Sequence, residues 1–220
     1  MKEGKCTMKK VFIAGGSGRV ATELIKELVK NDFDVVAGAR YPEKIIKMNR
    51  VTPIKLDLHA SLKEIANVIG QNISAIYFVA GSRGKDLLQT DALGAVKVMQ
   101  AARENNIKRF IMLSSIFTLQ PEKWHHINLP DHDDYNTAKF FADNYLIAQS
   151  GLDYTILQPT ILTEEPGTGR VSFDVDVEAS NPISDVAATL AEILKHDNTI
   201  NKVIMMKSGD VAIKTAVDNV

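Results

Sequence analysis

The sequence predicts an α/β fold: one doubly wound parallel sheet of about six to seven strands, with helices on both faces, in a single domain. Short apolar runs alternate with amphipathic helical patterns along the chain, which is the order of a parallel α/β sheet. The 220 residues are enough for one substantial domain but not for two large ones. We expect residues 1–8 to form a flexible N-terminal tail and residues 9–220 to form the domain, with a small C-terminal region beside the site.

Composition and charge exclude several classes of protein. With 45% hydrophobic and 24% charged residues and no biased tract, the chain is ordinary for a globular protein. A formal net charge of -1 leaves no basic excess for nucleic acid or anionic lipid, so we expect neither partner. The single cysteine, Cys6, excludes an internal disulfide and fits the reducing cytoplasm. The first apolar run breaks at Gly15, which is too early for a membrane span.

A glycine-rich turn follows the first apolar run and leads into a helix that begins near Arg19. Gly15 permits a tight turn, Gly18 lets a pyrophosphate approach the backbone, and Ala21 is small enough for close packing of helix on strand. Free amides at the helix start favour negative charge. This order is typical of a Rossmann-like dinucleotide-binding domain, and the alternative is a purely structural strand-to-helix turn.

The second predicted strand, residues 34–40, ends on Arg40. An NAD site usually carries an acid at this end for the ribose 2′-hydroxyl, whereas an arginine accommodates a 2′-phosphate. Asp34 opens the strand at the wrong end, and Arg19 adds a second guanidinium nearby. The sequence therefore favours NADP over NAD, with two solvated surface arginines as the alternative.

The third predicted strand, residues 52–56, is followed by Asp57 and Leu58. We expect Asp57 to reach the adenine amino group; its alternative is a turn or capping acid. Ser61 and Glu64 have the spacing of a capping box, which predicts that a helix starts here.

The fourth predicted strand, residues 73–79, ends in small residues that would let the backbone lie beside the ribose and phosphate of a coenzyme: Ala80, Gly81 and Ser82. Residues 87–105 then predict one core helix. Its apolar stripe consists of Leu88, Ala92, Ala95, Val96 and Met99. We expect Asp91 and Lys97 to lie at the surface or at the end of the sheet.

The fifth predicted strand, residues 109–113, delivers Ser114 and Ser115 at its carboxyl end, where open α/β sheets hold their ligands. Successive side chains point to opposite faces, so one of the two serines faces the cleft. Either could hydrogen-bond a substrate carbonyl, and a structural hydroxyl is the alternative.

Residues 116–134 lack strong periodicity, which predicts a loop over the site. The stretch contains Trp124, His125 and His126, but the spacing of its histidines and aspartates matches no metal-ligand pattern, so we expect no metal site. Asp133 and Asp134 favour the start of the next helix.

That helix begins with Tyr135, and Lys139 follows four residues later. One helical turn places the two on the same face, where a protonated lysine favours the phenolate of the tyrosine. A tyrosine so assisted can act as a general acid or base. The spacing is also common by chance, but the glycine turn and the serine pair upstream make it more specific.

The C-terminal third predicts a sixth strand at residues 154–158, a half-exposed strand at residues 170–177, a seventh strand at residues 202–206 and a short final helix. A further helix starts near Ser184 and Asp185. Its expected inward residues are Val186, Leu190, Ile193 and Leu194.

From Met8 onward the chain resembles the short-chain dehydrogenase/reductase superfamily, particularly its atypical NAD(P)-binding, NmrA-like branch, and is most similar to small bacterial YlbE-like oxidoreductases. The resemblance is carried by residues 15–21, 37–40, Asp57, residues 113–115, Tyr135 with Lys139, and residues 151–159. It implies that Lys139 bonds the nicotinamide ribose, that Tyr135 donates or accepts the proton, and that Ser114 or Ser115 polarises the substrate carbonyl. It also places Pro159 on the cofactor side.

These observations predict an NADP-dependent oxidoreductase that moves a hydride between nicotinamide and a small carbonyl or quinone-like substrate. One alternative is an NADP(H)-binding redox sensor whose residues 120–134 order for a protein partner; another is a sugar-nucleotide epimerase or dehydratase. The expected partner is a small molecule, with a homodimer as the candidate assembly. The predicted cofactor-binding residues are Gly15, Ser17, Gly18, Arg19, Val20, Arg40, Asp57, Leu58, Ala80, Gly81, Ser82, Lys139 and Pro159. The predicted catalytic residues are Tyr135, Lys139, Ser114 and Ser115.

Overall fold

A sheet of parallel strands runs through the middle of the molecule. The computed structural model describes residues 9–126, 132–176 and 179–220. The strands within these ranges are β1 (Lys10–Ala14), β2 (Asp34–Ala39), β3 (Val51–Lys55), β4 (Ala75–Phe78), β5 (Arg109–Leu113), β6 (Asp153–Pro159), β7 (Ile161–Thr163), β8 (Arg170–Ser172), β9 (Ser180–Pro182), β10 (Lys202–Ser208) and β11 (Val211–Ala212).

The order of the main sheet is β11-β8-β10-β6-β5-β4-β1-β2-β3. The seven strands from β10 to β3 pair in parallel, whereas β8 and β11 add a short antiparallel edge. The predicted doubly wound parallel sheet is confirmed. The order reverses between β1 and β4, and such a reversal opens a crevice at the carboxyl ends of the strands.

Helices cover both faces of the sheet and pack apolar side chains against it. They are α1 (Arg19–Lys30), α2 (Leu62–Ile69), α3 (Leu93–Glu104), α4 (His132–Ala148), α5 (Ile183–Ile193) and α6 (Ile213–Asp218). On one face Leu24 of α1 packs in the same buried cluster as Leu190 of α5. On the other face Ile65, Met99 and Leu146 share a second cluster, which joins α2, α3 and α4. The capping box of Ser61 and Glu64 is present at the start of α2, as predicted.

The helix predicted for residues 87–105 is present over residues 87–104, but it is not one regular α-helix. Residues Leu87–Ala92 form a π-helical segment, and α3 begins only at Leu93. A π-helical turn holds extra residues, so it rotates the side chains before it relative to the stripe of α3. Leu88 is therefore 71% exposed, while Asp91 is fully buried rather than at the surface.

Two other predictions agree with the structure only in part, and a third lies outside the described residues. The strand predicted for residues 170–177 extends only over Arg170–Ser172, although Val175 further along is buried; Val177 lies outside the described residues. The loop predicted over the site contains a 3-10 helix, Pro121–His126, and its residues 127–131 lie outside the described residues. The predicted N-terminal tail, residues 1–8, also lies outside them. Across the described ranges, the helices are too short or too polar to cross a bilayer.

Candidate coenzyme and active site

A cleft of about 740 Å³ lies along the carboxyl ends of β1, β2, β4 and β5. The glycine turn borders one stretch of it, and Ser114, Tyr135 and Lys139 border another. The cleft therefore occupies the crevice that the reversal of strand order creates.

The glycine turn packs closely against the loop after β4 and against β2. Gly15 has a φ of +98°, and a Cβ there would lie 2.6 Å from the backbone of Ala80. The amides of Gly15 and Gly16 both donate to the carbonyl of Gly38 at 2.9 Å, which fixes the turn on β2. At the start of α1, Gly18 supplies no capping side chain, and the helix has no acid in its first turn. The backbone N–H groups of the first turn of α1 have no partner within the helix, so they are available to bind the pyrophosphate of a dinucleotide.

The predicted adenosine end of the cleft holds Arg40, Asp57 and Leu58. The Arg40 guanidinium lies over the Tyr41 ring, 5.3 Å from its centroid. Hydrogen bonds from Thr90 and His59 lower the pKa of Asp86, and the charge of Arg40 lowers it further. Arg40 is thus an exposed cation at the mouth of the cleft.

Two of the predicted contacts in this region also have structural roles. The Asp57 carboxylate accepts from the backbone N–H of His59 at 2.9 Å, so the acid closes a turn as well as lining the cleft. Arg19 lines the cleft, and its guanidinium pairs with Glu164 at 2.5 Å. Both members of that ion pair are largely exposed, so the contact leaves Arg19 able to exchange partners.

We call the part of the cleft that contains the glycine turn and Arg40 the coenzyme end, and the part that contains Ser114, Tyr135 and Lys139 the chemistry end. The loop after β4 connects these two ends. Ala80, Gly81 and Ser82 line the cleft, as predicted. The backbone N–H of Ser82 donates to Oδ2 of Asp91 at 3.0 Å. The Ser82 hydroxyl is buried and has no hydrogen-bond partner among the described residues, which is the state expected of a group that meets a ligand.

Lys139 forms a buried ion pair with Asp91. Its Nζ lies 3.8 Å from Oδ1 of that acid, and the two side chains are 3% and 0% exposed. Sequence reasoning missed this role of Asp91. Its signal was that it stands four residues before Ala95 on an inward stripe, where an acid requires a partner.

Tyr135 and Lys139 lie on one face of α4, as their spacing predicts. The Lys139 Nζ is 5.7 Å from the centroid of the Tyr135 ring. The ring of Trp124 meets that of Phe140 edge-on, with 6.0 Å between centroids, and the Trp124 indole donates to the carbonyl of Phe117. These contacts hold the preceding segment against α4, on which Tyr135 and Lys139 stand.

Of the two candidate serines, Ser114 faces the cleft and Ser115 does not line it. The Ser114 hydroxyl donates to Oδ2 of Asp143 at 2.7 Å. The backbone carbonyl of Ser115 accepts from Thr118 at 2.6 Å, which makes Ser115 part of a turn. The tertiary structure thus resolves an alternative that strand alternation left open.

Asp143 lies behind Ser114, and sequence reasoning did not select it. Burial raises its pKa to about 7, against the opposing effects of the Ser114 hydrogen bond, the Lys139 charge and the Gln158 hydrogen bond. The side-chain amide of Gln158 donates to the same carboxylate oxygen at 3.2 Å. An available signal was the spacing, since Asp143 follows Lys139 by four residues and so shares its face of α4.

The cofactor-side position of Pro159 stays a prediction, since Pro159 itself does not line the cleft. Pro159 ends β6 opposite Met206, and its carbonyl accepts from the backbone N–H of Ile116 at 3.1 Å. It is therefore held inside the sheet, and Leu162 of β7 lines the cleft in its place. Within the described ranges, no three His, Cys, Asp or Glu side chains gather as they would around a metal ion.

Comparison with known proteins agrees with this geometry. The family model for NAD(P)H-binding proteins matches residues 15–197, so the chain belongs to the NAD(P)H-binding family. The oxidoreductase YlbE from Lactococcus lactis is 45% identical, with 96% of each chain covered and a TM-score of 0.92. The predicted relation to atypical short-chain dehydrogenases/reductases of the YlbE-like type is thereby confirmed.

Other relatives carry epimerase names. A Bacillus subtilis protein described as the uncharacterized sugar epimerase YhfK is 35% identical over 216 residues, covering 94% of this chain and 98% of that protein. A Bacillus halodurans structure, provisionally named an NAD-dependent epimerase/dehydratase, is 30% identical with a TM-score of 0.84, covering 96% of this chain and 100% of that one. The names of these relatives thus differ in the reaction that they give.

Proposed function

We propose that the protein is an NADP-dependent oxidoreductase that transfers a hydride between nicotinamide and a small carbonyl or quinone-like substrate. The observation that carries the proposal is the meeting of Ser114, Tyr135 and Lys139 in the cleft that also contains the glycine turn. A protein that only binds the coenzyme needs the turn but not this trio. The oxidoreductase name of the 45% identical relative supports the same class.

Each residue has a definite part in this proposal. The Tyr135 hydroxyl gives a proton to the substrate oxygen, and the positive charge of Lys139 stabilises the phenolate left behind. Ser114 lines the same cleft, and in this proposal it hydrogen-bonds that oxygen and holds the carbonyl in place. The uncapped start of α1 and Arg40 hold the pyrophosphate and the 2′-phosphate. When bound, the nicotinamide supplies or accepts the hydride.

The test is Tyr135→Phe, assayed by NADPH oxidation over a panel of aldehydes, ketones and quinones. Loss of the general acid should lower turnover about 10²–10⁴-fold. Calorimetry should find NADPH affinity nearly unchanged, because the hydroxyl serves the substrate. Undiminished turnover would remove the role of Tyr135, and failure to bind either nicotinamide coenzyme would overturn the proposal as a whole.

A sugar epimerase is the second candidate, favoured by the name of YhfK and its 35% identity over nearly the whole chain. An epimerase removes and returns a hydride within one catalytic cycle. It would therefore interconvert a sugar nucleotide with no net change in the absorbance of the reduced coenzyme. Stoichiometric oxidation of NADPH by a carbonyl substrate would decide against it.

We also propose a small-molecule substrate as the physiological partner, a cytoplasmic location and a homodimeric assembly. The assembly is supported by exposed apolar side chains on α4, where Phe141 is 60% exposed. Light scattering on purified protein measures the mass directly, and a monomer at micromolar concentration would contradict the dimer.

A further inference from the structure

A fully buried carboxylate stands behind the serine of the site. Asp143 of α4 has no exposed surface, and its Oδ2 accepts from Ser114 at 2.7 Å and from Gln158 at 3.2 Å. Its Oδ1 has no hydrogen-bond partner among the described residues. A buried carboxylate with one oxygen unsatisfied is costly in its ionised form, which makes the neutral acid accessible near neutrality.

The protonation state of this acid fixes which way the serine hydrogen bond runs. An ionised carboxylate can only accept, so Ser114 must give its one proton to Asp143 and offers only lone pairs to the cleft. A neutral acid can instead donate to the serine oxygen. The Ser114 hydrogen then turns toward the cleft, where a carbonyl oxygen can accept it.

We propose that Asp143 is a positioning residue that sets the hydrogen-bond polarity of Ser114, so that the serine donates to a substrate carbonyl only while Asp143 is neutral. The consequence for catalysis depends on the proposed oxidoreductase function. During carbonyl reduction, negative charge grows on the substrate oxygen. That oxygen needs two donors, Tyr135 and Ser114, to be stabilised fully.

The groups that face Asp143 from the surrounding elements support this assignment. Lys139, one turn earlier on α4, is the charged group that acts on it, and that lysine pairs with Asp91 of the π-helical segment. The residues at the ends of β5 and β6 that face it, Ser114 and Gln158, are neutral.

The other elements packed on α4 direct their polar groups elsewhere. From α3, Gln100 and Arg103 contact Tyr145 and Gln149, which lie further along the chain. From the 3-10 helix, Lys123 lies over the ring of Phe117 and Trp124 meets Phe140.

The first experiment tests the link between the protonation of Asp143 and the stability of the fold, and it needs no enzyme activity. Because the pKa of Asp143 is about 7 in the fold and 3.8 for an ordinary aspartate, the folded chain holds an extra proton between these values. Its thermal stability should therefore fall as the pH rises across that interval and level off above it. Asp143→Asn should lose this dependence, and the exposed Asp174→Asn should keep it. In Ser114→Ala the levelling point should move to higher pH, because the lost hydroxyl no longer stabilises the carboxylate.

The second experiment measures the catalytic consequence. Single-turnover reduction of menadione or benzaldehyde by NADPH should slow as the pH rises through the range in which Asp143 ionises, by up to about 10²-fold. Asp143→Asn, whose amide can donate to Ser114, should remain near the low-pH rate throughout. Adding Asp143→Asn to Ser114→Ala should change nothing further.

The two experiments separate two kinds of failure. Equal pH dependence of stability in wild type and Asp143→Asn, or an unmoved levelling point in Ser114→Ala, would overturn the assignment of Asp143. If the stability measurements give the expected pH dependence in all variants but no carbonyl is reduced, the assignment of Asp143 is supported and the proposed oxidoreductase function is overturned. A rate profile identical in wild type and Asp143→Asn would overturn the positioning role.

Discussion

The two ends of the cleft hold their charges in opposite environments. At the coenzyme end Arg19 and Arg40 are exposed, and Arg19 forms an exposed ion pair with Glu164. At the chemistry end Lys139 and Asp91 are buried against each other, and Asp143 is buried behind Ser114. Charges in water contribute little to folding but can meet a phosphate, whereas buried charges depend on their partners. We therefore expect that the proposed coenzyme-binding charges can change with little effect on stability, whereas the proposed catalytic charges cannot.

The largest effect should come from breaking the buried pair. Lys139→Met leaves the Asp91 carboxylate without its cation, which should lower the free energy of unfolding by about 3–5 kcal/mol. Urea denaturation measures this loss. Lys85→Met, an exposed lysine of the same cleft, should change stability by less than about 0.5 kcal/mol. Adding Asp91→Asn to Lys139→Met should restore part of the loss, and no recovery would show that packing rather than charge is responsible.

The glycine turn should give the next largest effect. Gly15→Ala places a methyl group against the Ala80 backbone and forces an L-residue into a left-handed conformation, a strain of about 1–3 kcal/mol before the clash is added. Gly84→Ala is the matched control, because Gly84 also has a positive φ but has nothing within 4 Å of the position that an added methyl group would take. Thermal unfolding should rank Gly15→Ala below Gly84→Ala, and only Gly15→Ala should lose NADPH binding in calorimetry. Equal effects would mean that the close approach at Ala80 is unimportant.

At the exposed end, Arg40→Ala should affect recognition without affecting folding. Loss of a charged hydrogen-bonding group at the 2′-phosphate should weaken NADPH binding by about 1.5–3 kcal/mol, while NADH binding stays nearly constant. Lys44→Ala is the control, since Lys44 also lies over the Tyr41 ring, at 4.7 Å, but does not line the cleft. Competition calorimetry at two salt concentrations checks both. A parallel loss of NADH affinity would assign Arg40 to the whole dinucleotide.

The smallest effect should come from Glu164→Gln. The Arg19–Glu164 pair is exposed on both sides, so its loss should change stability by less than about 0.5 kcal/mol. Arg19 is then released, and NADPH affinity should stay the same or rise slightly. A stability loss above about 1 kcal/mol in urea denaturation would show that the exposed charges of the coenzyme end also contribute to folding.

Features that depend on a few neighbouring residues could be predicted from the sequence, whereas features that depend on distant residues could not. The glycine turn, the capping box of Ser61 and the pair Tyr135 and Lys139 were accessible because each is a local pattern within one turn or one helix. The cofactor-side role of Pro159 came from the family resemblance alone and stays a prediction. Asp91 was expected at the surface or at the end of the sheet; its spacing to Ala95 indicated burial, but its partner Lys139 comes from another helix, which no local pattern shows.

The sequence by itself determined the seven parallel strands, the glycine turn after the first of them and the helix that carries Tyr135 and Lys139. Only the tertiary structure decided that Ser114 faces the cleft rather than Ser115, and that Asp91 and Asp143 are buried against Lys139 and Ser114. The physical reason is the distance along the chain between the residues that interact. Turns and helical faces depend on residues a few positions apart, whereas burial and the pairing of charges depend on side chains that meet from distant parts of the chain.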